Sequence, residues 1–236
     1  MSKSLVIAYR GANKYAPQNT APAFNSALEI GIDGFETDVH ITKDGYVVIC
    51  HNYTIDETSD GKGKISDMTL EELKSYDFGS YFSQSFKGTK LPTLDEFLSM
   101  IKDTDIKVIN IEIKPPKQKE TAIVRETIKA AKEHGVFDKL LISSFSPDIL
   151  REAKRIDKNC RTGFLYGPNS PTTPLVAWRI FSYVKSLGCE AVHPNFLFVN
   201  KKYIEKAHKA GLQVNPWTVD LPELIDNMIR LKTPMD

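Results

Sequence analysis

Acidic side chains occupy alternate positions in the short apolar segment Phe35–His40. In an extended strand, Glu36, Asp38 and His40 project to one face, while the residues between them project to the other. Two neighbouring carboxylates are costly to bury unless a cation or a shared proton neutralises them. We therefore predict that Glu36 and Asp38 bind a hard divalent cation. The alternative is that both side chains face solvent at the end of the strand.

A second apolar segment, Asn110–Lys114, also places charged groups on one face. Glu112 and Lys114 are two residues apart, so a strand would direct both side chains to the same side. Glu112 could supply a third oxygen ligand to the cation, and Lys114 could hold a phosphate oxygen beside it. An internal Glu–Lys pair that satisfies only itself is the alternative.

Three further residues have side chains suited to a phosphate ester. Arg10 precedes Gly11 at the end of the first apolar run, and a guanidinium binds phosphate through two parallel hydrogen bonds. His51 ends another apolar run and could donate a proton to a leaving alkoxide, with a structural role, the commoner one for a single histidine at a strand end, as the alternative. Trp217 could close the apolar side of a ligand pocket, with core packing as the alternative.

Short β-branched runs alternate with amphipathic segments along the chain, which predicts βαβ units around a parallel sheet. The predicted strands are Leu5–Tyr9, Gly34–His40, Val108–Lys114, Leu140–Phe145, Thr162–Tyr166, Ala191–Pro194 and Gln213–Val219. The predicted helices are Pro22–Ile30, Thr69–Tyr76, Thr93–Ile101, Thr121–His134, Pro147–Ile156, Pro174–Leu187, Asn200–Ala210 and Pro222–Arg230.

This regular alternation favours an α/β fold of the TIM (β/α)8-barrel type over an open sheet, in a single domain spanning residues 1–236. An eighth strand is missing after the last helix. The turn signal Lys43–Gly45 followed by Tyr46–His51 predicts a hairpin. The polar, glycine-rich region that follows predicts a small insertion over the barrel mouth, at about residues 45–91.

Composition excludes several classes of protein. Of the 236 residues, 31 are Lys or Arg and 30 are Asp or Glu, so the formal net charge of +1 implies no large basic surface for nucleic acid. The three cysteines lack metal or disulfide spacing and are expected to be idle thiols. No run approaches the roughly 20 apolar residues of a membrane span, and no signal peptide is evident. We expect a cytoplasmic location.

Taken together, the motifs resemble those of the glycerophosphodiester phosphodiesterase family, in order and over Leu5–Val219. The matching segments are Arg10–Gly11, Ala16–Thr20, Glu36–Val39, Thr42–Gly45, His51, Leu91–Leu94, Ile111–Lys114, Ser144–Phe145 and Trp217–Val219. The resemblance implies a TIM barrel that hydrolyses a small-molecule glycerophosphodiester to an alcohol and glycerol 3-phosphate. It also implies Ca²⁺ or Mg²⁺ bound by the carboxylates at positions 36, 38 and 112. The same resemblance assigns Arg10 and Lys114 to the phosphate and His51 to general acid catalysis.

Three positions depart from the family pattern. The resemblance places a second catalytic histidine, the base, immediately before the arginine, where this chain has Tyr9. An unperturbed phenol, with a pKa near 10, is a poor base at neutral pH, although a nearby cation and Arg10 could lower that pKa. Gln18 and Asn52 stand where the family usually has acids. Loss of a general base lowers the rate by about 10² to 10⁴, so binding could persist while turnover is slow.

The sequence therefore supports three hypotheses. The first is a metal-dependent phosphodiesterase, and the second is a catalytically impaired relative that binds phosphodiesters or polyol phosphates. The third, a different barrel enzyme that uses phosphate only as an anchor, does not account for the carboxylates, since a phosphate anchor needs no cation.

Overall fold

The structure, a computed structural model, describes residues 4–114, 121–168 and 179–231. The chain divides into two compact units. The first is Leu5–Leu141, and the second comprises the described residues from Ile142 to Leu231.

Four strands form the sheet of the first unit: β1 (Ile7–Tyr9), β2 (Gly34–Ile41), β3 (Val47–Ile49) and β4 (Val108–Ile113). β2 is central and pairs in parallel with both β1 and β4. β3 is antiparallel to β2, as expected for the predicted hairpin, because its turn is too short for a helical crossover. The predicted bounds of these strands are correct to within two residues.

The helices of the first unit are α1 (Ala21–Ile30), α2 (Leu70–Ser75), α3 (Leu94–Ile101) and α4 (Ala122–Glu133). α1 and α3 pack against the face of β2 that carries Phe35. The ring centroids of Phe24 and Phe97 lie 4.5 Å apart, and Phe35 meets both rings edge-on at 5.5 and 5.4 Å. This buried aromatic cluster fixes the back of β2, so that its other face can carry charged side chains.

The region between β3 and α3 has a small core of its own. Seven buried residues form it: Val48, Cys50, Ile55, Ile65, Leu73, Phe78 and Leu91. Two 3₁₀ turns, Ile65–Asp67 and Gln84–Phe86, and helix α2 lie within this stretch. Its assignment as an insertion over the barrel mouth stays a prediction, as does the single-domain organisation.

Strand β5 (Leu140–Ser144) lies at the border of the two units. The other elements of the second unit are α5 (Pro147–Ile156), β6 (Arg161–Tyr166), α6 (Ile180–Ser186), β7 (Ala191–Pro194), α7 (Lys201–Lys209), β8 (Gln213–Val214) and α8 (Pro222–Leu231). β7 pairs in parallel with β6 and with β8.

Two predicted elements need correction or restriction. The strand predicted as Gln213–Val219 ends at Val214, because Pro194 of the neighbouring strand β7 has no backbone N–H to donate to the Asn215 carbonyl. Pairing resumes only as an isolated bridge between Asn195 and Trp217. Of the helix predicted as Pro174–Leu187, the part before residue 179 lies outside the described residues, and the rest forms α6.

The fold is of the predicted α/β class, a TIM (β/α)8-barrel type. Apart from the hairpin strand β3, seven strands alternate with helices in the described part of the chain, and an eighth of that series does not occur there. Cys50, Cys160 and Cys189 are buried free thiols, as predicted. None of the described helices has the length and apolarity to cross a bilayer. The cytoplasmic location stays a prediction.

Candidate active site

The predicted carboxylates converge on one point because β2 and β4 are adjacent and in register. Asp38 lies directly opposite Glu112 in the parallel ladder, and Glu36 lies two residues before Asp38 on the same face. Each of these carboxylates offers one oxygen, and the three oxygens lie within 4.8 Å of one another. Their spacing fits a group of ligands around a single cation.

Two cations face these carboxylates. Lys114 Nζ lies 3.0 Å from Asp38 Oδ1 and 2.7 Å from Glu112 Oε1, and Arg10 Nε lies 3.4 Å from Asp38 Oδ2. Burial alone would raise the pKa of Asp38, but Lys114 and Arg10 hold it below its usual value. Burial opposes the charged form of Lys114 as well, yet Asp38 and Glu112 raise the pKa of its ammonium.

For the other two carboxylates, Glu36 and Glu112, burial outweighs the nearby cations, and their pKa values are raised. Burial raises the pKa of Glu112 to about 7, with Asp38 acting in the same direction and Lys114 against it. Burial, then Asp38 and Glu112, raise the pKa of Glu36 well above its usual value. The side chain of Glu36 is half-buried, but its Oε2 is shielded and has no hydrogen-bond partner among the described residues. The three carboxylates of the cluster therefore carry more negative charge, when ionised, than the two neighbouring cations neutralise.

Arg10 is held in one orientation by its neighbours. Its Nη1 donates to Gln18 Oε1 at 2.7 Å, its Nη2 donates to the Tyr9 hydroxyl, and its guanidinium carbon lies 4.3 Å from the centre of the Tyr9 ring. The next residue, Gly11, has φ of +78°, and an added Cβ would lie 2.7 Å from the Ala23 carbonyl carbon. Only glycine fits here without displacing α1.

Asn19 lies in the motif Ala16–Thr20, and its role in the site does not follow from the sequence pattern. Its Nδ2 donates to Asp38 Oδ2 at 3.1 Å, and its Oδ1 accepts from the Thr37 hydroxyl at 2.8 Å. Asn19 and Arg10 both have φ of +57°, a left-handed conformation that non-glycine residues rarely adopt. The backbone N–H of Asn19 donates to the Arg10 carbonyl, which ties the two strained residues together.

His51 follows the hairpin strand β3 and is half-buried. Its Nδ1 lies 2.7 Å from Asn52 Oδ1, and burial lowers the pKa of the imidazole, while Asp38 acts to raise it. His40, which the strand pattern placed on the face of Glu36 and Asp38, is buried and lies 3.3 Å from the His51 carbonyl oxygen through its Nε2. Burial lowers the pKa of His40 to about 4, so this ring stays neutral.

All but one of the predicted site residues lie in the first unit: Tyr9, Arg10, Glu36, Asp38, His51, Glu112 and Lys114. Trp217 belongs to the second unit, where its Nε1 donates to the His193 carbonyl oxygen at 2.8 Å. Its ring meets Phe145 edge-on with centroids 5.7 Å apart. Its contribution to substrate binding stays a prediction.

A comparison with known protein families agrees with this geometry. A model of the glycerophosphoryl diester phosphodiesterase family matches residues 10–233. The chain belongs to this family. Relatives named glycerophosphodiester phosphodiesterases are among the similar proteins, and this chain is a phosphoric diester hydrolase by class.

Two curated members of the glycerophosphoryl diester phosphodiesterase family illustrate the similarity. A glycerophosphodiester phosphodiesterase of Caldanaerobacter subterraneus subsp. tengcongensis is 38% identical over 228 residues, covering 97% of this chain and 90% of the relative. One of Bacillus altitudinis is 31% identical over 229 residues, covering 96% and 90%. A solved structure, an Oleispira antarctica phosphodiesterase in complex with the product sn-glycerol-3-phosphate, is 29% identical, covers 97% of this chain and 90% of that chain, and has a TM-score of 0.87.

Proposed function

We propose that this family member hydrolyses glycerophosphodiesters to an alcohol and glycerol 3-phosphate in a reaction that depends on Ca²⁺ or Mg²⁺. The observation that carries the proposal is the convergence of Glu36, Asp38 and Glu112 beside two buried cations. The Oleispira antarctica phosphodiesterase, whose complex contains sn-glycerol-3-phosphate, supports the choice of substrate class.

The residues present fit a divalent cation. Carboxylate oxygens are the ligands that Ca²⁺ and Mg²⁺ prefer, and the shielded Glu36 Oε2 is without a hydrogen-bond partner in the described part of the chain. Glu36, Asp38 and Glu112 would hold the ion. A bound cation would supply positive charge that polarises a phosphoryl oxygen.

The remaining chemistry belongs to side chains of this chain. Arg10 and Lys114 bind the phosphate, and their fixed partners orient them before substrate arrives. His51 is the general acid: its Nδ1 is engaged with Asn52, which leaves Nε2 to give a proton to the oxygen of the leaving alcohol. An incoming phosphate dianion or diester anion raises the pKa of His51 and so favours its charged form.

The proposal is tested with purified protein, glycerophosphocholine, and Ca²⁺, Mg²⁺ or a chelator, measuring released glycerol 3-phosphate. We expect metal-dependent release that falls by about 10² or more in His51→Ala, the loss typical of a general acid. His208→Ala, near the C-terminal end of α7, is the matched control and should keep wild-type activity. Release that is unaffected by chelation, or by the His51 substitution, would contradict the proposal.

A second candidate is a catalytically impaired member that binds phosphodiesters or polyol phosphates. The departures Tyr9, Gln18 and Asn52 favour it, since all three surround Arg10 or His51. Calorimetric titration with glycerol 3-phosphate separates the candidates: metal-dependent binding without any release from glycerophosphocholine would support this second function.

A further inference from the structure

The proton-bearing nitrogen of His51 is fixed by contacts outside the carboxylate cluster. His51 Nδ1 lies 2.7 Å from Asn52 Oδ1, and Asn52 Nδ2 donates to Glu57 Oε2 at 2.7 Å. The three side chains thus form a continuous chain of two hydrogen bonds, His51–Asn52–Glu57.

The chemistry of these groups gives the chain a direction. A carboxylate only accepts hydrogen bonds, so Glu57 requires the NH₂ group of Asn52 to face it. The amide oxygen of Asn52 must then face the imidazole, and because that oxygen also only accepts, His51 Nδ1 must carry a hydrogen. Glu57 therefore sets the tautomer of an imidazole that it does not touch.

Glu57 can orient Asn52 because backbone contacts hold its loop in place on both sides. Thr54 and Lys64 form an antiparallel bridge, and the N–H of Ile55 donates to the Gly63 carbonyl at 3.0 Å. Gly63 in turn donates its N–H to Asp56 Oδ1 at 2.8 Å. Ile55 is fully buried, so the backbone beside Glu57 is anchored while its carboxylate stays exposed.

We propose that Glu57 is a positioning residue for catalysis, acting through Asn52 to hold His51 as its Nδ1–H tautomer. The inference rests on the proposed function of His51 as general acid. A general acid that gives up its proton from Nε2 is left as a neutral ring with hydrogen on Nδ1. That is the tautomer which Asn52 and Glu57 stabilise, so the pair favours proton transfer to the leaving oxygen.

Other charged groups near His51 do not fix its tautomer. Asp38, Lys114 and Arg10 all act on the imidazole through their charge, and none of them is a hydrogen-bond partner of Nδ1. The bond between Asn52 and Glu57 is exposed, and exposed pairs of this kind contribute little to stability. Removing Glu57 should therefore affect the reaction without unfolding the protein.

The kinetic test compares Glu57→Ala, Glu57→Gln and the control Glu71→Ala, an exposed glutamate in the first turn of α2. We expect Glu57→Ala to lower kcat about tenfold with KM within twofold, as for other outer partners of a functional histidine. Glu57→Gln should keep most of the activity, because its amide oxygen still accepts from Asn52. Equal kcat in Glu57→Ala and Glu71→Ala would overturn the proposal.

A second kinetic test asks whether Glu57→Gln restores activity to an Asn52→Asp variant. Asn52→Asp places a carboxylate against Glu57, and repulsion should turn the new side chain away from His51. In the double variant Asn52→Asp with Glu57→Gln, the new amide can donate to the new carboxylate, so kcat should exceed that of Asn52→Asp alone by about tenfold. A double variant no more active than Asn52→Asp would contradict the proposed chain of hydrogen bonds.

A nitrogen NMR measurement on ¹⁵N-histidine-labelled protein separates this inference from the proposed function. The His51 signals, assigned by their loss in His51→Ala, should show hydrogen on Nδ1 in the wild type and a mixture of tautomers in Glu57→Ala. Retention of the Nδ1–H form in Glu57→Ala would refute the positioning role even in an active enzyme. If wild-type protein releases no glycerol 3-phosphate but shows the expected tautomers, the proposed function fails and the positioning of His51 stands.

Discussion

At the residue scale, Arg10 shows how the site is organised before a substrate binds. Its Nη1 donates to Gln18, its Nη2 donates to the Tyr9 hydroxyl, and its Nε lies at ion-pair distance from Asp38. The Tyr9 oxygen is therefore engaged as a hydrogen-bond acceptor. Accepting this bond positions Arg10 and requires no loss of the Tyr9 proton.

We predict that Tyr9→His raises the rate of glycerol 3-phosphate release by about tenfold or more, since an imidazole titrates near neutral pH and a phenol does not. The measurement is kcat with glycerophosphocholine at saturating metal. Tyr9→Phe is the matched control, because it keeps the ring beside Arg10 and removes only the hydroxyl; its kcat should stay within about threefold of wild type.

Two results would contradict this prediction. An unchanged rate in Tyr9→His would mean that Tyr9 does not stand in for a base. A large loss in Tyr9→Phe, of about 10² or more, would mean that the phenol itself takes part in the reaction.

The sequence predicts the carboxylate cluster well because alternation along a strand and parallel pairing are both local rules. Glu36 and Asp38 share a face by their spacing, and Glu112 joins them once β4 is placed beside β2. The roles of Asn19 and Glu57 could not be read in the same way. Their contacts depend on the path of a loop, and no periodic pattern marks a loop residue whose side chain contacts another segment of the chain.

At the element scale, the helices that support β2 are defined by their caps. The Thr93 hydroxyl accepts from the Glu96 backbone N–H at 3.1 Å, and the Glu96 carboxylate accepts from the Thr93 backbone N–H at 2.8 Å. This reciprocal pair begins α3 and directs Phe97 into the cluster with Phe24 and Phe35.

We predict that Thr93→Ala lowers the free energy of unfolding by about 1 kcal/mol, the usual loss for an N-cap hydroxyl. Thr93→Ser retains the hydroxyl and should recover most of that stability. Denaturant titration measures both. Thr93 bridges Val48 of β3 and is not among the site residues, so kcat measured well below the melting temperature should equal that of wild type. Stabilities of Thr93→Ala and wild type that agree within error would show that the cap is dispensable.

Capping residues also explain why the ends of some helices can be predicted from the sequence. Helices that begin at a threonine or proline are predicted to within a residue or two, as for α1, which also ends at Gly31, and for α3. The last strand was predicted too long because Val219 continues the apolar pattern beyond Pro216. The missing N–H of Pro194 in the neighbouring strand β7 interrupts the ladder opposite Asn215, and the hydropathy of the last strand does not show this.

At the scale of the whole molecule, the carboxylate cluster links folding to metal binding. Without an ion, Glu36 is a shielded carboxylate that faces Asp38 and Glu112, and burial and their charges raise its pKa well above the usual value. Such a group opposes folding when it is ionised. A bound cation would reverse the sign of its contribution, because a ligand that binds only the folded state stabilises it.

We therefore predict that Glu36→Gln has opposite effects with and without metal. In chelator, the variant should be more stable than wild type by about 1 kcal/mol, since the substitution removes a charge that lacks a partner. With Ca²⁺ or Mg²⁺ at about 100 times its dissociation constant, wild type should gain about 2.7 kcal/mol, and the variant should gain far less because it has lost a ligand. Denaturant unfolding with and without the ion measures both differences, with Glu71→Gln as the control that should follow wild type in each condition. A metal-induced gain in stability of the same size in Glu36→Gln and wild type would mean that the ion binds elsewhere. A variant that is less stable than wild type in chelator would mean that the Glu36 carboxylate stabilises the fold even without the ion.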